Sequence, residues 1–176
     1  MEGYEDATYG DRIAIGYDEH LARIRSRVGG VELVVERLVE LAASGRALEL
    51  GVGTGPIAIP LAARGVPVVG IDVSGAMLDV LRAKPGADAV EVVVGSMEDV
   101  PTPGPFSVAY AVAASFFALR AQDAQVRCFA NVAERLGPGG AFVLEAFVPD
   151  PALFDRGQRI ATRALGLDYV VTEHTI

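Results

Sequence analysis

Three glycines at alternate positions, Gly51, Gly53 and Gly55, end the short apolar run Ala47-Leu-Glu-Leu. Glycine admits positive φ and carries no Cβ, so such a loop lets a bound molecule approach the main chain directly. An acid, Asp72, closes the next apolar run, Val66 to Ile71. A carboxylate at that place can accept hydrogen bonds from both hydroxyls of a ribose. The chemistry these residues could do is therefore capture of a nucleoside-bearing molecule. A dinucleotide fingerprint requires Gly-x-Gly-x-x-Gly, and here the third glycine position falls on Pro56. A glycine loop alone is as often a structural turn as a ligand site, so the elements around it must decide.

Those elements are periodic. Val31 to Ala43 places Val31, Val34, Val35, Leu38, Leu41 and Ala42 on one face, with Glu32, Glu36, Arg37 and Glu40 opposite, which predicts an amphipathic helix. Ala47 to Gly51 reads as a strand, and Pro56 to Ala63 resumes helical spacing with proline in a tolerated first-turn position. Val66 to Ile71 reads as a buried strand, followed by Ser74 as N-cap of a helix reaching Arg82 or Ala83. Further strands are expected at Val90 to Gly95, Phe106 to Val112 and Ala141 to Phe147, with a helix at Asp123 to Leu136 stopped by Gly137-Pro-Gly-Gly140. Tyr169 to Thr175 reads as a sixth strand without a partner, an exposed edge that implies a missing C-terminal part or a covering subunit. Apolar strands alternating with amphipathic helices predict a doubly wound, mostly parallel α/β sheet in a three-layer αβα sandwich.

The 176 residues suit a single domain, and the formal charge of −8 opposes generic binding to nucleic acid. No apolar stretch reaches the roughly 18 residues of a membrane helix, and the acidic start Met1-Glu-Gly-Tyr-Glu-Asp6 is unlike a secretory signal. Cys128, the single cysteine, falls at an apolar-periodic position and reads as a buried thiol. A cytoplasmic protein, monomeric or homodimeric, is expected. Neither a metal-ligand spacing nor a Gly-x-Ser-x-Gly elbow is found.

Taken together, Glu49-Leu-Gly51-x-Gly53-x-Gly55, Asp72 and Leu136-Gly-Pro-Gly-Gly140 resemble class I S-adenosylmethionine-dependent methyltransferases over nearly the whole chain. The segment Tyr9-Gly-Asp-Arg-Ile-Ala-Ile-Gly-Tyr17-Asp18 also resembles a segment of the bacterial small-molecule branch, where it forms a lid. The resemblance implies a lid over residues 1–30 and an S-adenosylmethionine-binding domain over 31–176. It puts Tyr9 and Tyr17 near the sulfonium, Glu49 under the loop or at the cofactor's amino group, and Gly51 and Gly53 against the cofactor. Asp72 then takes the ribose, Val73 and Met77 line ribose and adenine, and Met97 packs on the adenine. The tyrosines also suit a packed terminal helix, and the methionines a plain core. The sequence departs from the family at Ser96, where an acid is common and a hydroxyl accepts more weakly, at Ser107, and at the paired Ala113-Ala114 that bare the site's edge.

The expected activity is methyl transfer to oxygen or nitrogen of a small-molecule acceptor. A nicotinamide-dependent oxidoreductase and a catalytically weakened S-adenosylmethionine-binding module stand as alternatives. No catalytic base is assigned: His20 follows the lid segment, and Asp18, Glu19, Glu145 and His174 are weaker candidates, each also an ordinary surface residue.

Overall fold

The computed structural model describes residues 8–25, 30–146, 159–165 and 170–175. β1 (Ala47–Leu50), buried at every position, is the centre of a five-stranded sheet. Its neighbours are β2 (Val68–Asp72) on one side and β4 (Phe106–Ala111) on the other, with β3 (Val90–Val94) and β5 (Leu136–Leu144) outermost. All four pairings are parallel. The order β3-β2-β1-β4-β5 is the doubly wound arrangement expected from alternating apolar strands and helices.

Each face of the sheet carries its own core. On one face Val35, Leu38 and Ala42 of α3 (Val31–Ala42), Leu61 of α4 (Ala58–Ala63), and Leu78 and Leu81 of α5 (Gly75–Arg82) cover Ala47, Val68, Val108 and Tyr110. On the other, Ala124, Cys128 and Val132 of α6 (Gln122–Arg135) cover Leu48, Leu50, Ile71, Phe106 and Ala109. Residues alternate between the two cores along each strand, as the period of two requires. Burying one such leucine contributes roughly 1.5–3 kcal/mol. Cys128 is fully buried, and that burial raises its thiol to about 11, so it is an inert packing residue.

The helix after the glycine loop is entered later than its spacing predicts, at Ala58, but the Gly55 carbonyl already accepts from the Ile59 N–H, so Pro56 does occupy the first turn. The Gly137-Pro-Gly-Gly140 segment separates helix from strand differently from expectation. Strand pairing begins at once, with Phe106 opposite Leu136, then jumps so that Val108 faces Ala141. The glycines form an excursion within β5 and not a linker before it. Ahead of α3 lie α1 (Thr8–Ile13), a short 3-10 turn (Ala14–Gly16) and α2 (Tyr17–Arg25).

The chain divides into two compact units, Met1–Ala146 and Phe147–Ile176. Within the second, β7 (Val170–Thr175) pairs antiparallel with β6 (Arg159–Leu165). This corrects the expectation of an unpartnered terminal strand. The partner escaped because Arg159-Ile-Ala-Thr-Arg-Ala-Leu165 has two arginines and only two β-branched residues, too weak a strand pattern to read alone. Among the described residues no helix is long and apolar enough to cross a membrane.

Candidate functional site

The sheet order reverses between β1 and β4, and a cleft opens beyond the carboxyl ends of the strands at such a switch point. The chain leaves β1 through the glycine loop. Gly51 and Val52 both donate to the Ile71 carbonyl, at 2.8 and 3.0 Å, which carries the β1–β2 ladder past the strand end. Gly51 has φ of +74°, and a Cβ there would stand 2.9 Å from Cβ of Ser115, so both its conformation and the close approach of that residue require glycine. Gly53 is also left-handed, at φ +53°, but a Cβ on it would meet only Cε1 of Tyr17, at 4.0 Å.

Asp72 ends β2 and its carboxylate joins the loop to the next helix. Oδ2 accepts from the Gly53 N–H at 2.8 Å and Oδ1 from the Ser74 N–H at 2.9 Å. The carboxylate keeps acceptor capacity for a further donor. Burial pushes the Asp72 carboxyl above the ordinary aspartate range. The N–H donors of Ser74, Gly53 and Val73 oppose that rise, and the carboxylate of Asp11 adds to it. Ser74 caps α5 as its position predicts, its hydroxyl accepting from the Met77 N–H at 3.2 Å while donating to Oδ1 of Asp11 at 2.6 Å. The second of those bonds brings α1 down beside Asp72. Gly10 makes the approach possible, since a Cβ there would lie 2.6 Å from Cβ of Ser74.

The opposite rim follows β3 and β4. Ser96 accepts from the Glu98 N–H at 3.0 Å, so its hydroxyl already closes a turn. Ala113 and Ala114 are consecutive left-handed residues, at φ +54° and +61°, a conformation that costs non-glycine residues on the order of 1–3 kcal/mol each. The carboxylate of Glu145 accepts the Ala113 N–H at 2.8 Å and holds this turn. The following 3-10 turn, Ser115–Ala118, brings Ser115, Ala118, Leu119 and Arg120 to the same edge.

These elements enclose a cavity of about 390 Å³, within the range of small-molecule sites. Of the residues singled out by sequence, Tyr17, Gly51, Gly53, Asp72, Val73, Met77, Ser96, Met97 and Ala113 line it. Glu49 does not. It is buried beneath the loop within β1, where Tyr110 of β4 donates to its Oε2 at 2.9 Å, and burial beside that carboxylate holds the Tyr110 phenol well above its usual range. The side chains of Tyr9, His20 and His174 lie outside the described residues. Asp18, Glu19 and Glu145 are exposed and none lines the cavity. Sequence reasoning missed Gly10, Ser74, Ser115, Leu119 and Arg120. Only Ser74 carried a local signal, as an N-cap. Among the described residues no cluster of three His, Cys, Asp or Glu could hold a metal.

Residues 47–140 match the methyltransferase domain family. Among solved structures, the CcbJ methyltransferase from Streptomyces caelestis shares 34% identity at a TM-score of 0.82, covering 97% of this chain and 70% of that one. The amino pentose methyltransferase CalS10 from Micromonospora echinaspora, solved with S-adenosylmethionine bound, shares 25% identity at 0.62, covering 73% of this chain and 56% of that one. The glycopeptide N-methyltransferase MtfA, 21% identical with a TM-score of 0.64 over 84% of this chain and 73% of its own, shows the same fold. No curated protein sequence matched.

Proposed function

The chain belongs to the methyltransferase domain family and is an S-adenosylmethionine-dependent methyltransferase of small molecules, and we propose that the cavity at the glycine loop is where it holds that cofactor and its acceptor. Nothing in the comparisons supports the nicotinamide alternative, in keeping with Pro56 at the third glycine position. The observation that carries the site assignment is Asp72, which lines the cavity with its carboxylate fixed by the Gly53 and Ser74 N–H groups and with acceptor capacity left for a ribose hydroxyl.

Gly51 and Gly53 expose main chain to the methionine end, Val73 and Met77 flank ribose and adenine, and Met97 and Ser96 meet the adenine. Ser96 is a weaker acceptor for its amino group than a carboxylate. Tyr17 comes to the cavity from α2, and an aromatic face beside the sulfonium attracts its charge. The bound cofactor supplies a methyl group already activated for in-line displacement. The chain's own part is then to desolvate the cleft and to set an acceptor oxygen or nitrogen in line with that methyl, which can account for much of the rate. An amine acceptor needs only to arrive uncharged, whereas a hydroxyl must pass its proton to a base. The protein acts in the cytoplasm as a monomer or homodimer.

Calorimetric titration with S-adenosylhomocysteine beside NADH tests the assignment. Binding of the thioether with none of NADH is expected, and binding of NADH alone would overturn it.

A further inference from the structure

Asp18 follows Tyr17 on α2 and is held at both carboxylate oxygens. Thr54 Oγ1 donates to its Oδ1 at 2.7 Å, and Lys84 Nζ reaches its Oδ2 at 2.6 Å. The same ammonium donates to the Thr54 carbonyl at 2.7 Å. One cation therefore joins an N-terminal helix to the glycine loop, although Lys84 lies beyond the end of α5 and does not line the cavity.

An exposed ion pair would contribute little. This one differs in three respects. The Lys84 side chain is only 27% exposed. It has two oxygen partners on separate elements, and one of them, Thr54, is fully buried between Gly53 and Gly55. Both partners also adjoin cavity residues in the chain: Asp18 follows Tyr17, and Thr54 follows Gly53. The Tyr17 ring lies over Gly53, with Cε1 4.0 Å from where a Cβ would stand. Moving Asp18 away from Thr54 must move Tyr17 away from Gly53.

We propose that Lys84 is a positioning residue for cofactor capture: by bridging Asp18 and the Thr54 carbonyl it sets Tyr17 against Gly53 and so builds the cavity wall at the glycine-loop end. The proposal rests on the reading of this cavity as the S-adenosylmethionine site. Its consequence is selective, because Tyr17 over Gly53 stands at the amino-acid end of the ligand, away from Ser96 on the adenine side.

The test is calorimetric titration of Lys84→Met, Lys84→Arg, Asp18→Asn and the Lys84→Met/Asp18→Asn double variant. The probes are S-adenosylhomocysteine and methylthioadenosine, which lacks the amino-acid end, and thermal unfolding is followed in parallel. Lys84→Met is expected to weaken the thioether about tenfold, the scale of one charge-assisted bond. Methylthioadenosine should change less than about twofold, and Lys84→Arg should recover most of the affinity, since a guanidinium can also bridge two oxygens. The double variant should be no weaker than the poorer single one, because both changes break one unit. Unchanged thioether affinity in Lys84→Met, equal loss for both ligands, or no recovery with arginine would overturn the proposal. If Lys84→Met does not fold, Asp18→Asn applies the same test from the other side of the bridge. A native protein that binds no thioether would instead remove the cofactor reading itself.

Discussion

Replacing Asp72 by asparagine keeps the shape of the side chain and removes the charge on which the cofactor assignment depends. The carboxylate oxygens accept from Gly53 and Ser74 and keep capacity for the ribose hydroxyls. Bonds to an ionised acceptor contribute about 1.5–3 kcal/mol each, and the one amide oxygen that remains returns about 0.5–1.5 kcal/mol. For two ribose bonds the net loss is about 1.5–5.5 kcal/mol, or roughly 10- to 10,000-fold in affinity for S-adenosylhomocysteine. Isothermal titration at pH 7.5 measures it directly. The pH dependence gives a second readout. Because burial raises the Asp72 pKa, the native protein should begin to lose the ligand at a higher pH than an ordinary aspartate would dictate, about tenfold per pH unit below that raised value, whereas Asp72→Asn should lack this dependence. The ligand-free protein moves the other way. A raised folded-state pKa contributes stability that is complete below the unfolded value and is lost as pH rises through the folded one, so ionised Asp72 is a burden that cofactor contacts offset. An affinity within threefold of native in Asp72→Asn would refute the reasoning.

Two further outcomes follow from buried or engaged polar groups. Tyr110→Phe takes one donor from the buried carboxylate of Glu49 and should destabilise by about 1–3 kcal/mol, seen as a fall of roughly 2–12 °C in Tm by calorimetry; no fall would mean the pair is not formed. Ser96→Asp places an ionised acceptor on the adenine side of the cavity and should tighten S-adenosylhomocysteine by up to about tenfold in the same titration, while weaker binding would take residue 96 out of the adenine contact.

Much of the sheet was legible because its strands are bounded by strong local punctuation. Val90–Val94 and Phe106–Ala111 begin where the apolar runs begin, and Ser74 announced α5. Gly51, Gly53 and Asp72 were legible for the same reason, since a glycine loop after one strand and an acid after the next are local patterns with a mechanism. What was not legible was long-range. Glu49 was read at the loop or at the cofactor's amino group, and its bond to Tyr110 could not be seen, since Tyr110 adjoins it only because β4 returns to lie against β1. Arg159–Leu165 was invisible as a strand until its antiparallel partner supplied the pairing.

The rim at Ala113-Ala114 shows where local reading must stop. Alanine ordinarily signals helix or filler, and two in succession at positive φ contradict every local preference of the residue. Such a conformation persists only when surrounding structure determines it. Here the determinants are distant in sequence: Glu145, after β5, takes the Ala113 N–H, and Ser115, anchored by its own bond to the Val112 carbonyl at 2.7 Å, packs against Gly51 across the cavity floor. The glycine loop and the strained turn thus define one wall from both sides. Gly51 must lack a Cβ because Ser115 is there, and Ser115 is there because the alanines turn left-handed. The small residues that seemed to bare the edge of the site are part of the turn that shapes it.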